Sequence, residues 1–243
     1  MRLLVTGAAG RIGTAFYAEM ADRYWFRLAD RNLSPITPED DHEVIQLDIA
    51  DLEACRVACE GIDTVLHLAA DPSPEADFYG SLLDNNIKGT FNVFRAAKDA
   101  GCTRVIFASS IHAVLGYPNS EPVATDISVN PITIYGATKC FGEAIAAYFA
   151  NTEELSSIAV RICSYHAPWI HEKRTEEVLS SYVSPRDLNQ LFTLCIDAPE
   201  TLRHAIVIGQ SNNAKKRLDL TSTINLLGFA PQDDGFKIFD IES

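Results

Sequence analysis

Tyr135 and Lys139, in "PITIYGATKCFGEAIAAYF" (131–149), stand one helical turn apart at the head of an apolar, helix-like segment. A phenol ordinarily titrates near pH ~10, and an ammonium group beside it favours the phenolate. At about 5 Å and an effective dielectric of about 20, the attraction is roughly 3 kcal/mol, or about 2 pKa units. The spacing therefore predicts a tyrosine that can take an alcohol proton near neutral pH. Of the eight tyrosines, only Tyr135 has a lysine four residues on. Ser109 and Ser110 close the strand-like run "RVIFASS" (104–110), about 25 residues upstream of the tyrosine. A hydroxyl there can hold the reacting oxygen and share its proton. Ser110 takes that role because the loop after it turns toward a crevice; Ser109 reads as a structural partner.

A second group of residues sits at the N-terminus. "VTGAAGRIG" puts Gly7, Gly10 and Gly13 directly after a first strand and into a first helix. Close backbone approach, free N–H donors and a helix N-terminus are what a diphosphate requires. Asp30 ends the second strand, 23 residues after Gly7, where a carboxylate can accept both ribose hydroxyls of NAD and repel the extra phosphate of NADP. Arg31 beside it is the residue that could meet such a phosphate. Asp48 closes the third strand and is expected to touch the adenine, while Ala69 and Ala70 at the end of "HLAA" leave room for a cofactor to pass.

The elements that must position these groups alternate strictly. Strands are expected at 2–6, 26–30, 43–48, 64–70, 104–110, 157–162 and 204–209. Helices are expected at 11–21, 52–60, 79–100, 135–151, 185–197 and 219–227, with less regular chain at 111–133, 164–183 and 209–218. "SPRD" (184–187) supplies a Ser N-cap, Pro at the first helical position and Asp at the third. This order implies an α/β fold, a doubly wound parallel sheet of about seven strands, with ligands at the strand carboxyl ends. The 243 residues are read as one domain over 1–243, with pocket segments at about 164–184 and 209–243 and a small C-terminal substrate-binding portion.

Composition narrows the partners. The formal net charge of −13 repels nucleic acid and anionic lipid, and no apolar run approaches the ~20 residues that span a bilayer. The six scattered cysteines form no CxxC and no zinc-spaced cluster, which predicts reduced thiols, no metal and a cytoplasmic protein. Cys55 and Cys59, four apart, are expected on the buried face of a helix.

Together, TGAAGRIG, "HLAA", "NNIKGT", "FASS" and YGATK resemble, in order and over most of the chain, the extended short-chain dehydrogenase/reductases, the NAD-dependent epimerase/dehydratase family. The resemblance implies a Rossmann-type domain with Ser110, Tyr135 and Lys139 as catalytic triad. Lys139 would also bind the nicotinamide ribose, and Asn86 would complete the cofactor site. Further cofactor contacts are expected from Ala9, Arg11, Ile12, Ile49, Leu68 and Ser109. "RLAD", "FASSIHAV", "YGATKCFGE" and "VRICS" look like the uronate dehydrogenases, whereas "HLAADPSPEA" looks like the sugar or sugar-phosphate branch. On that likeness Ser73, His112, Ser164 and Arg174 would line the sugar pocket, Arg174 gripping a carboxylate or phosphate. The family's usual SSN is here SSI, so Ile111 replaces a polar residue near the nicotinamide.

The activity implied is NAD-dependent oxidation of a small sugar at C1. The alternatives are a nucleotide-sugar epimerase, dehydratase or reductase and a non-catalytic NAD-sensing regulator. The 104 residues after Lys139 favour a small substrate. A homodimer or higher oligomer is expected through helices 79–100 and 135–151, with Phe94, Ala147 and Tyr148 facing outward.

Overall fold

Seven strands pair side by side, every pairing parallel, in a computed structural model that describes residues 1–38, 41–120 and 122–241. In chain order the elements are β1 (Arg2–Thr6), α1 (Arg11–Met20), β2 (Trp25–Asp30), β3 (Glu43–Gln46), α2 (Leu52–Cys59) and β4 (Thr64–His67). A π-helical stretch (Phe78–Lys88) runs into α3 (Gly89–Asp99), followed by β5 (Arg104–Ser110), α4 (Ile134–Thr152) and β6 (Ser156–Ile162). The remainder comprises β7 (Ser164–Tyr165), α5 (Pro168–Glu172), α6 (Glu176–Ser180), β8 (Tyr182–Val183), α7 (Pro185–Ile196), β9 (His204–Gly209), α8 (Thr221–Leu227) and α9 (Gly235–Ile238).

The sheet order is β3-β2-β1-β4-β5-β6-β9. The chain runs outward one way from β1 and the other way from β4, so the winding reverses between these two strands. That reversal opens a crevice at their carboxyl ends. Successive side chains of a strand alternate faces, so the central strands are apolar on both. Leu3, Val5, Phe26 and Val160 join Phe16 of α1 and Phe192 of α7 on one side. Leu4, Val65, Val105 and Phe107 join Phe94 of α3 and Phe149 of α4 on the other. Cys55 and Cys59 lie on the buried face of α2, and all six cysteines are unpaired.

Local chemistry sets the helix starts. Asp51 caps α2 by accepting from Glu53 and Ala54 N–H, and Thr133 caps α4 by accepting from Gly136 N–H at 3.0 Å. Ser184 Oγ accepts from Asp187 N–H at 3.1 Å with Pro185 at the first helical position, as "SPRD" predicts. Buried Arg104 donates to the carbonyls of Cys195, Ile196 and Ala198, satisfying the open end of α7.

Three expectations are corrected. The helix over 79–100 is two elements: through Lys88 it is wound wider, with Leu82 and Gly89 N–H donating five residues back to Asp77 and Asp84, and it tightens at Gly89. A Cβ on Gly89 would come within 2.5 Å of the Ile49 side chain, so the glycine lets the helix pass the strand end. The stretch 164–183 is two short paired strands and two short helices, each too brief to carry a period. Phe94 is fully buried rather than outward-facing, and Ala147 is half-buried.

His67 ties the switch point together. Its Nδ1 lies 2.7 Å from the Thr6 hydroxyl, linking β1 to β4, and the ring is 1% exposed. Burial first, and the Lys139 charge second, lower its pKa to about 3. An unfolded histidine titrates near ~6.5, so on acidification the unfolded chain takes the proton first. His67 therefore contributes full stability above that value and loses it as pH falls toward about 3, by up to about 1.4 kcal/mol per pH unit. Urea midpoints at neutral and at mildly acid pH should fall more steeply for the wild type than for His67→Gln; equal slopes would remove this assignment.

Candidate active site

A cleft of about 680 Å³ opens over the carboxyl ends of β1 to β6, walled by the last residues of β2, β5 and β6 and by the segments that follow β1, β3 and β4. At one end lies the glycine turn. Gly7 adopts φ +72°, and a Cβ there would come within 2.6 Å of Ala69 N. Gly13 is equally confined, with Gly7 O and Ala8 O only 2.7 Å from where a Cβ would stand. These glycines bring the β1–α1 turn against the end of β4, which no side chain would allow. No side chain caps α1, so its first N–H groups face the cleft with the positive end of the helix dipole. Asp30 stands at the tip of β2; one carboxylate oxygen accepts from Ala9 N–H at 3.0 Å and the other from Asn32 N–H at 3.1 Å. Arg11, Ile12, Arg31, Ile49, Leu68, Ala69 and Ala70 complete this wall.

At the other end, over β5 and β6, are Ser110, Tyr135 and Lys139, with His112 and Ser164 beside them. Ser110 ends β5, and its Oγ accepts from His112 N–H at 3.2 Å. Tyr135 opens α4 under the Thr133 cap, its ring edge-to-face with His112 at 5.2 Å. The Lys139 ammonium donates to Ala108 O at 2.9 Å and lies 5.6 Å from the Tyr135 ring centre. Ser109 also lines the cleft, but its hydroxyl is engaged in the core. Its hydroxyl donates to Glu143 Oε1 at 2.7 Å, within a buried pair that Arg161 completes at 2.9 and 3.0 Å.

The electrostatics differ from those expected of the spacing alone. Burial raises the Tyr135 pKa above its ordinary value, Ser110 works against that rise and the Asp71 charge adds to it. Burial also lowers Lys139 to about 8. The ammonium is engaged by a backbone carbonyl, and both groups have lost water. The desolvation cost of the phenolate is thus the largest effect on Tyr135 in the protein by itself. His112 is likewise lowered by burial, so its ring is neutral near pH 7.

The profile of the NAD dependent epimerase/dehydratase family matches residues 3–197. The chain belongs to this family. It is 35% identical to the NAD-dependent glucose-6-phosphate dehydrogenase of Haloferax volcanii, over 96% of this chain and 93% of that one. It is 31% identical to the L-arabinose 1-dehydrogenase (NAD(P)(+)) of the same organism, over 98% and 99%. Among solved structures, a variant of uronate dehydrogenase from Agrobacterium tumefaciens complexed with NAD superposes with a TM-score of 0.84. It is 33% identical and covers 98% of this chain and 87% of that one.

This member of the epimerase/dehydratase family has the features that fit NAD: a cradle at Gly7 that a methyl group would fill, an uncapped helix start and a carboxylate at the β2 tip. Not every residue singled out from the sequence reaches the cleft. Asp48 is exposed and accepts from Ala50 N–H, while its neighbours Leu47 and Ile49 form the wall. Asn86 is buried outside it, bonding Asp71 N–H and O and the Thr138 hydroxyl, and so fixes the loop after β4; Asn85 faces the cleft instead. Ser73 is exposed and accepts from Glu75 N–H, with Pro72 and Pro74 on the wall at either side. Ala9 contributes through the N–H that anchors Asp30. Arg174 is exposed, and its Nε donates to His171 O at 2.9 Å.

Tyr165 and Trp169 line the cleft and escaped sequence reasoning because they fall in the stretch read as irregular. An aromatic pair following the end of β6 was the available signal. No described residue of 209–241 lines the cleft, and residues 242–243 of that segment lie outside the described residues. The segment instead braces 164–183: Ser211 N–H and Asn213 Nδ2 donate to Tyr182 O, and Phe236 and Phe239 pack on Ile170, Leu179 and Tyr182.

Proposed function

We propose that this protein is an NAD-dependent dehydrogenase that oxidises the anomeric hydroxyl of a small sugar to a lactone. The observation that carries the reading is the convergence of Ser110, Tyr135 and Lys139 on the cleft whose other end holds the glycine turn and Asp30. When bound, the oxidised dinucleotide supplies the hydride acceptor. Tyr135 Oη takes the hydroxyl proton as the C1–H bond breaks with its electron pair and C1–O becomes a carbonyl. Ser110 holds the reacting oxygen, and Lys139 holds the ribose while keeping a positive charge near the phenol. The free protein keeps Tyr135 neutral by burial; the positive charge of a bound oxidised nicotinamide would favour the phenolate. NADH appearance, read by absorbance with aldoses, uronates and sugar phosphates, tests the reading. Formation with none of them would refute it.

Asp30 sets the choice of dinucleotide. Asp30→Ser should weaken NAD about tenfold and narrow the NAD-over-NADP preference, because the hydroxyl acceptor and the repelling charge go together. Unchanged dissociation constants for both dinucleotides would contradict this.

Two copies associate, in this reading, through the π-helical stretch, α3 and α4, where Tyr79, Phe91 and Tyr148 are 81%, 40% and 45% exposed. Light scattering should give a dimer that Phe91→Glu with Tyr148→Glu converts to monomer; a wild-type monomer would end this proposal. Among the described residues no helix is long and apolar enough to cross a membrane.

A further inference from the structure

We infer that the substrate end of the cleft selects a neutral, unphosphorylated aldose over a uronate or a sugar phosphate. The inference rests on the sugar dehydrogenase reading above and refines its substrate class.

Three positive charges reach the cleft wall, and each has another task. Arg11 begins α1 and Arg31 follows Asp30, so both stand at the dinucleotide end. Arg11 also neighbours Tyr165, from the uncapped helix start where a diphosphate would engage it. Lys139 is buried and donates to Ala108 O at 2.9 Å. The cation that an anionic sugar would need, Arg174, is placed elsewhere. Its Nε donates to His171 O, and its guanidinium lies 6.0 Å from the Phe239 ring, within the brace that supports α5.

What the substrate end does offer suits an uncharged polyol. Trp169, 40% exposed, presents an aromatic surface, with Tyr165 and Ile162 alongside. Aromatic faces hold the C–H side of a sugar ring without demanding charge. Asn85, Ser164 and neutral His112 provide hydrogen-bonding groups for hydroxyls. Ser164 is itself oriented by the Ser181 hydroxyl at 2.8 Å. A negative charge also acts on this end from behind the wall. Asp71, after β4, accepts from Ser73 N–H and the Ser81 hydroxyl and acts electrostatically on Tyr135. A carboxylate or phosphate bound here would lose water, find the lining cations committed to the dinucleotide end (Arg11, Arg31) or to the Ala108 carbonyl (Lys139), and add its charge to that of Asp71.

Steady-state rates with saturating NAD should be compared across L-arabinose, D-xylose, D-galactose and D-glucose, the corresponding galacturonate and glucuronate, and glucose 6-phosphate. The best neutral aldose should exceed every anion at least about twentyfold in kcat/KM. Trp169→Ala should raise KM for that aldose about tenfold with kcat within about threefold. In a binding measurement free of turnover, the same aldose added to the NADH complex should change wild-type tryptophan fluorescence and leave that of Trp169→Phe unaltered. Arg174→Ala should leave the selectivity ratio within about twofold. A uronate or sugar phosphate that equals the best aldose overturns this inference alone, as does an Arg174→Ala variant that selectively loses anionic substrates. Oxidation of no sugar at all overturns the dehydrogenase reading as well.

Discussion

Tyr135→Phe should lower kcat by about 10³-fold or more while NAD affinity stays within about threefold of wild type. The variant keeps the ring, and with it the edge-to-face contact to His112 and the cap at Thr133, so the cleft and the helix start survive. What goes is the hydroxyl that takes the proton in the proposed mechanism. Substrate binding should change little, so kcat and kcat/KM should fall together. Titration of the dinucleotide by fluorescence, alongside initial rates, separates the two effects. A variant that retains most of its rate would show that another group receives the proton.

The second large effect is on stability and originates beneath the site. Glu143 and Arg161 are 4% and 1% exposed and paired through two hydrogen bonds, and Glu143 also accepts from Ser109. Glu143→Ala would strand a guanidinium in the core beside β5. Breaking such a buried pair costs about 3–5 kcal/mol. In a chain of this size that corresponds to a fall of roughly 6–20 °C in Tm. Glu143→Leu combined with Arg161→Met should recover most of the loss, since a buried apolar pair needs no partner charge. Calorimetry on the three proteins checks this. A drop of under about 2 °C for Glu143→Ala would mean that water or a rearranged neighbour already compensates the arginine.

The strands were the most legible part of the sequence because their apolar content is dense and their spacing regular. All seven central strands lie where expected, with β3 and β4 ending earlier, at Gln46 and His67. Glycine positions were equally readable, because a turn between strand and helix that must touch the next strand tolerates no Cβ. What the sequence concealed was three-dimensional competition. Lys139 and Tyr135 are indeed neighbours, yet the pairing by itself does not disclose the Ala108 carbonyl or the loss of water that reverses the shift on the phenol. Asn86 was expected at the cofactor, but in the widely wound segment it is Asn85 that lines the cleft while Asn86 anchors Asp71. Arg174 belongs to a mixed charge run whose short helices obey long-range packing on Phe236 and Phe239. No local period could place it.

One measurement bears on the central claim more directly than any other: the fate of deuterium at C1 of an oxidised aldose. Incubation with NAD and analysis by NMR should find the label on C4 of the reduced dinucleotide, in amounts equal to the lactone formed. Label retained in a sugar product of altered configuration, with no net reduction of the dinucleotide, would contradict the account and point to epimerisation in the same cleft.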